Sequence, residues 1–116
     1  MTASLELVLD CADAQRLAQF WTAALGYRRL GSAGSYVALV PLEGDPPKLI
    51  LQQVAEPKTA KNRMHLDMLA PDIEAEAQRL VELGAERLRV EPVVEHGTRW
   101  IVMADPEGNE FCVCQG

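Results

Sequence analysis

From Leu5 to Cys11 the chain alternates apolar and polar side chains, Leu, Glu, Leu, Val, Leu, Asp, Cys. That period of two predicts a half-buried strand, with Leu5, Leu7 and Leu9 on one face and Glu6, Val8 and Asp10 on the other. The period then changes. Ala14, Leu17, Ala18, Trp21 and Leu25 fall at helical spacing and predict a single apolar stripe. Asp13 stands where an N-cap is needed, and Gly26 stands where a helix would stop. Three further strands are predicted at 27–30, 35–40 and 48–54, separated by turn residues at 31–34 and 44–47.

The same pattern recurs in the second half. The segment from Met64 to Gly84 aligns with that from Leu5 to Gly26, pairing Leu5 with Met64, Glu6 with His65, Leu7 with Leu66, Leu9 with Met68 and Asp13 with Asp72. Asp72 is the second N-cap; Ile73, Ala77, Leu80 and Val81 form the second stripe, and Gly84 ends it. Strands are predicted at 86–90, 99–104 and 109–114. Later in each half Asp45-Pro46 aligns with Asp105-Pro106, a register that pairs Gln52 with Cys112. One copied half-length unit explains this better than a solenoid, which needs shorter and more numerous repeats. The chain therefore reads as one α+β domain over 1–116, built from two tandem βαβββ modules of about 1–57 and about 60–116. One helix covers only one face of each three-stranded return. A curved, cleft-lining mixed sheet with helices on its outer face is expected, the open side filled by a ligand or a partner chain.

Composition narrows the classes. At 116 residues the chain has room for one domain, burying roughly two-thirds of its unfolded surface. A hydrophobic share of 48% with 24% charged residues is a globular balance. The net charge of −6 disfavours nucleic acid and anionic membranes, both of which call for clustered Lys and Arg. No apolar run reaches the roughly 18 residues of a membrane span, and residues 1–10 lack a basic stretch followed by an apolar one. The three cysteines, Cys11, Cys112 and Cys114, show no zinc-type spacing. The expectation is a cytoplasmic protein with free thiols.

Period two also selects the chemistry of the open side. It leaves Glu6, Asp10, His65 and Asp67 there from the first strand of each module, Gln52 from the fourth strand of the first, and Glu110, Cys112 and Cys114 from the last. The duplication then delivers two equivalent pairs, Glu6/His65 and Gln52/Cys112, toward one hollow. Carboxylate, amide oxygen, imidazole and thiol are all metal donors. Plainer roles compete. His65 fits equally a half-buried histidine bonded to Glu6 or Asp67, and Glu6 with His65 an acid–base pair without metal. Cys112 and Cys114 fit small wall residues better than nucleophiles. Phe20 and Trp21 fit the core. Trp100 fits a cavity wall or a dimer contact. Asn62 and Arg63 fit either a clamp on a ligand carboxylate or a loop anchor, and His96 with Gly97 fits a turn.

Four stretches together resemble the vicinal oxygen chelate superfamily, which groups glyoxalase I, bleomycin-resistance proteins and extradiol dioxygenases, and within it the short glyoxalase-like domain branch. They are Leu9-Asp10-Cys11-Ala12-Asp13, Leu17-Ala18-Gln19-Phe20-Trp21, Lys61-Asn62-Arg63-Met64-His65-Leu66-Asp67, and Asp105-Pro106-Glu107-Gly108-Asn109-Glu110-Phe111-Cys112. The resemblance spans essentially the whole chain. It implies a divalent metal ion held by Glu6, Gln52, His65 and Cys112, although a thiol stands where glyoxalase I-like sites have a carboxylate, and no metal at all is the other expectation. It implies catalysis by Glu6, His65 and Glu110, with Asp10, Asp67, Arg63 and Trp100 contacting substrate. The activity implied is a lyase or isomerase reaction on a small carbonyl-containing or oxygen-chelating molecule in a cavity between the modules, by a homodimer. The alternative is a metal-free protein of the bleomycin-resistance type that sequesters a small natural product. A regulatory or scaffold domain is the third class, expected if the cavity is closed by packing.

Overall fold

The computed structural model describes residues 3–45 and 47–116; Pro46 of the Asp45-Pro46 pair lies outside the described residues, as do Met1 and Thr2. The fold is α+β, with two helices and two mixed sheets among the described residues. The chain divides into two compact units, Met1–Lys58 and Thr59–Gly116.

In the first unit, β1 (Leu7–Cys11) leads into α1 (Ala14–Leu25), followed by β2 (Tyr27–Ala33), β3 (Tyr36–Pro41) and β4 (Leu49–Gln53). The Asp13 carboxylate accepts from the Arg16 N–H at 3.1 Å, satisfying one of the donors that a helix start leaves open. Gly26 closes the helix at φ 67°, a left-handed conformation that favours glycine. The sheet order is β1-β4-β3-β2, with β1 and β4 parallel and the others antiparallel. A register shift between Arg29 and Gly31 marks a bulge, which bends a strand. Leu17, Ala18 and Trp21 of α1 pack with Val37, Leu39, Leu49 and Leu51 in a core that excludes water. Phe20 and Ala24 are buried as well, and Phe20 meets Trp21 edge-on at 5.1 Å between ring centres.

The second unit repeats the plan with β5 (Leu66–Ala70), α2 (Ile73–Leu83), β6 (Glu86–Arg87), β7 (Val93–Glu95), β8 (Thr98–Ala104) and β9 (Glu110–Gln115). Asp72 caps α2 by accepting from the Ala75 N–H at 3.1 Å. The strand order is β5-β9-β8-β6, with β7 also paired to β8. Ile73, Ala77 and Leu80 of α2 are buried, as are Ile101, Met103, Phe111 and Val113 of the sheet. Val81, placed on the stripe by spacing, is instead 40% exposed.

Two departures from the sequence pattern matter for the site. The strand predicted over 86–90 ends at Arg87. The Arg87 guanidinium holds Glu74 of α2 through two bonds of 2.6 and 3.2 Å and also donates to the carbonyls of Arg89 and Val90. This curls the chain back on itself after Arg87. A strand that the pattern did not show, β7, follows Pro92 and forms a hairpin with β8. Its two-residue turn is His96-Gly97, with φ of 51° and 75°. Two positive φ values define the primed turn whose twist suits a hairpin. No helix among the described residues is long and apolar enough to cross a membrane.

Candidate functional site

In the second module the helix occupies one face of the sheet, and alternation sends every second side chain to the other. On β5, Leu66, Met68 and Ala70 turn toward α2, while Asp67 and Leu69 turn away; Leu69 is 75% exposed. On β9, Phe111 and Val113 go into the core, leaving Glu110, Cys112 and Cys114 on the open face. The parallel pairing of β5 with β9 sets Asp67 directly beside Cys112 and Leu69 beside Cys114. On the other flank of β9, Val102 pairs with Cys112 and Trp100 with Cys114. These side chains floor a cavity of about 600 Å³, with Lys61, His65, Glu95, His96 and Thr98 at its edges.

The loops that bound the cavity are held by specific bonds. Asp105 and Asn109 are buried polar residues. The Asp105 carboxylate accepts from the backbone N–H groups of Glu107 and Asn109 at 2.9 and 3.0 Å and from the Asn109 side chain. The Asp-Pro-Glu-Gly-Asn stretch is thus a self-bonded turn that delivers β9 in a fixed register. The Asn62 side-chain oxygen accepts from the Glu110 N–H at 3.1 Å, so Asn62 anchors the loop before β5 to the start of β9. Lys61 forms an ion pair with Glu110. Arg63 is exposed in the same loop and is not among the residues lining the cavity.

The electrostatics centre on Asp67. His65 Nδ1 lies 3.1 Å from an Asp67 carboxylate oxygen. The Cys112 thiol, 8% exposed, is pushed up to about 11 from its ordinary value of 9.0. Burial is the main cause, and the negative charges of Asp67 and Glu110 add to it. Cys114 is raised too, by burial and then by Asp67, to which it is hydrogen-bonded. Both thiols therefore stay protonated at neutral pH in the absence of a cation, which makes them poor nucleophiles. Among the described residues no disulfide joins Cys11, Cys112 or Cys114.

A donor atom from each of His65, Asp67 and Cys112 lies within 4.8 Å of the others. Four-coordinate zinc, with bonds of about 2.0–2.3 Å, sets its ligand atoms about 3.5 Å apart. The three groups need to close by only about an ångström to share an ion, and the mixture of imidazole, carboxylate and thiol fits a borderline-soft divalent metal. The same negative charges that disfavour a bare thiolate attract a cation.

The remaining residues singled out in the sequence lie in the first module. Glu6 precedes β1 and forms a 3.1 Å ion pair with Lys48. Asp10 on β1 stands beside Gln52 on β4, and Gln52 is half-buried. Tyr36 pairs with Gln52 from the other side. Lys61, Glu95, His96 and Thr98 were not selected as site residues from the sequence. Lys61 is visible only through its contact with Glu110, while Glu95 and Thr98 follow once the His96-Gly97 turn is recognised as a hairpin.

Residues 6–114 match the family described as the glyoxalase-like domain. Comparison with curated proteins gave no match. Among solved structures, the chain is similar to the fosfomycin resistance protein FosX of Listeria monocytogenes, with a TM-score of 0.79 and 14% identity over 100% of this chain and 94% of that one. It is also similar to a glyoxalase/bleomycin resistance protein/dioxygenase family enzyme of Burkholderia phytofirmans PsJN, with a TM-score of 0.78 and 12% identity over 95% of each chain. FosX of Mesorhizobium loti gives a TM-score of 0.74 at 16% identity over 100% and 93%. At these identities the structural likeness speaks to the fold alone. With its family match spanning nearly all of its length, the chain belongs to the glyoxalase-like domain family.

Proposed function

We propose that the protein is a lyase or isomerase-type enzyme that moves a proton next to the carbonyl of a small, oxygen-chelating substrate. The observation that carries this reading is the open face of the second module. There His65, Asp67, Glu110 and Cys112 line one cavity walled by Trp100. Glu110 offers a carboxylate that accepts a proton, and its pairing with Lys61 fixes its position at the cavity edge. The Nδ1 contact with Asp67 orients the His65 ring; when Nδ1 donates, Nε2 carries the lone pair and serves as acceptor. Trp100, Val102 and Leu69 supply apolar surface that keeps water from part of the substrate. A divalent metal, held by His65 and Cys112 with further donors, would polarise the substrate oxygens and stabilise the enediolate-like charge that proton removal creates.

The test is wash-in of solvent deuterium at the carbon next to the carbonyl, followed by proton NMR with the methylglyoxal–glutathione hemithioacetal as probe. Fosfomycin, which two of the structural neighbours are named for resisting, belongs in the same panel. The expected result is exchange or turnover in the wild type, reduced at least about 100-fold in Glu110→Gln, the scale on which a general base contributes. Turnover equal in the wild type and in Glu110→Gln contradicts the assignment of the base.

A second reading is a binding protein that sequesters a small natural product. It draws on the acidic groups Asp67, Glu95 and Glu110 around Trp100, a lining that suits a cation. A ligand recovered chemically unchanged supports it; a ligand converted on the protein excludes it. Under either reading we take the protein as a cytoplasmic homodimer. Sedimentation velocity at micromolar concentration reads the assembly, and a monomer contradicts it.

A further inference from the structure

The metal set implied by the resemblance draws on both modules, through Glu6, Gln52, His65 and Cys112. Asp67 has no place in it, yet Asp67 is the residue that the structure puts against Cys112. The two are direct partners in the parallel β5–β9 ladder, and His65 reaches the same carboxylate at 3.1 Å. Three different donor types thus converge within 4.8 Å of one another, Asp67 and Cys112 from two adjacent, hydrogen-bonded strands and His65 from the residue just before β5. We infer that the second module by itself holds a thiophilic divalent cation of the zinc class, through His65, Asp67 and Cys112. The inference deepens, and rests on, the reading of this face as the site.

Three features point to this class of ion. A thiolate with an imidazole selects zinc or cobalt over magnesium, manganese or calcium, which favour oxygen ligands throughout. One carboxylate and one thiolate bring two negative charges, which balance a dication while the imidazole stays neutral. Three protein donors in a four-ligand shell leave one position for water or substrate, the pattern that separates catalytic zinc sites from structural ones. Cys112 also stands on a packed strand. Phe111 and Val113, which flank Cys112 along β9, are fully buried against the α2 side of the sheet. Lys61 and Glu110 lie at the margin of the same cavity, outside the three-donor group.

The experiment titrates chelator-treated, full-length protein with cobalt(II) and follows absorbance. The inference predicts one equivalent bound, strong visible bands of a four-coordinate ion, and a near-ultraviolet thiolate-to-cobalt band. That band disappears in Cys112→Ser. Asp67→Ala weakens cobalt binding by more than the roughly 10–100-fold that loss of an outer partner of a ligand costs. The double variant Glu6→Gln/Gln52→Ala keeps both band and stoichiometry. Cys112 is buried, so Cys112→Ala serves as a second variant. Far-ultraviolet circular dichroism of each metal-free variant separates loss of a ligand from loss of the fold. Cobalt bound with no thiolate band overturns the inference. So does a band that survives Asp67→Ala but is lost in the Glu6/Gln52 double variant, a result that leaves the small-molecule reading standing. Absence of proton exchange with the band intact would fail the enzyme reading and leave the metal site standing.

Discussion

Removing the Asp105 carboxylate should destabilise the protein and loosen the strand that carries the site. Asp105 is 3% exposed and Asn109 7%. One carboxylate oxygen takes the Glu107 N–H at 2.9 Å, the Asn109 N–H at 3.0 Å and the Asn109 side-chain amide at 3.1 Å, and the other oxygen takes that amide at 2.9 Å. In Asp105→Ala the buried donors of Asn109 lose these acceptors. Each buried polar group left unsatisfied costs about 1–3 kcal/mol. Two such groups, with some relief from water entering at the Glu107 end, give a loss of about 3 kcal/mol. Asp105→Asn keeps one oxygen and sets a second amide donor against Asn109, so its cost should be smaller, about 1–2 kcal/mol. Urea unfolding followed by tryptophan fluorescence reads both. With a slope of about 2 kcal/mol per molar urea, the midpoint falls by roughly 1.5 M in the alanine variant, with the slope itself unchanged. A loss below the ~0.5 kcal/mol of an ordinary surface substitution refutes the idea that this turn fixes the register of β9. Equal losses in the two variants would refute the hydrogen-bond account of it.

Asp13→Ala and Asp72→Ala each remove one helix cap and should cost about 1 kcal/mol apiece in urea unfolding, adding independently because the caps belong to different helices. In metal-free protein the Cys112 thiol is raised to about 11. The unfolded chain releases this proton near 9 while the folded chain keeps it, so the contribution to stability is complete below pH 9 and lost as pH rises toward 11. A decline in urea midpoint over that window in the wild type, shallower in Cys112→Ala, checks the sign. Alkylation of the folded, metal-free protein should likewise leave Cys112 slow at pH 8. Leu80→Ala empties a fully buried position of α2 and should cost about 2–5 kcal/mol by the same unfolding assay.

The helices and most strands could be read directly because their signals are local. Asp13 and Gly26, like Asp72 and Gly84, mark both ends of each helix, and the caps form with the expected bonds. The alternation along β5 and β9 likewise sorts Asp67, Glu110 and Cys112 onto one face. What alternation does not carry is register between strands distant in sequence. That Asp67 stands beside Cys112 depends on β9 inserting between β5 and β8, a long-range pairing with no local trace. The strand β7 escaped because three residues after Pro92 are too few to show a period, although His96-Gly97 carried the turn. The early end of β6 was hidden for another reason, since it follows from Arg87 reaching Glu74 and two carbonyls. Glu6 and Gln52 follow from the alternation and the repeat, and the resemblance implies the same two positions. Their local surroundings are Lys48 for Glu6 and Asp10 and Tyr36 for Gln52.

The central claim is that the chemistry resides on the open face of the second module's sheet. A titration of zinc-loaded, isotope-labelled protein with acetohydroxamic acid, a small molecule carrying two adjacent oxygens, tests it by amide NMR. Perturbed amides concentrated at residues 65–69, 93–102 and 110–115 are the predicted result. Saturable binding that leaves those three segments unmoved would contradict it.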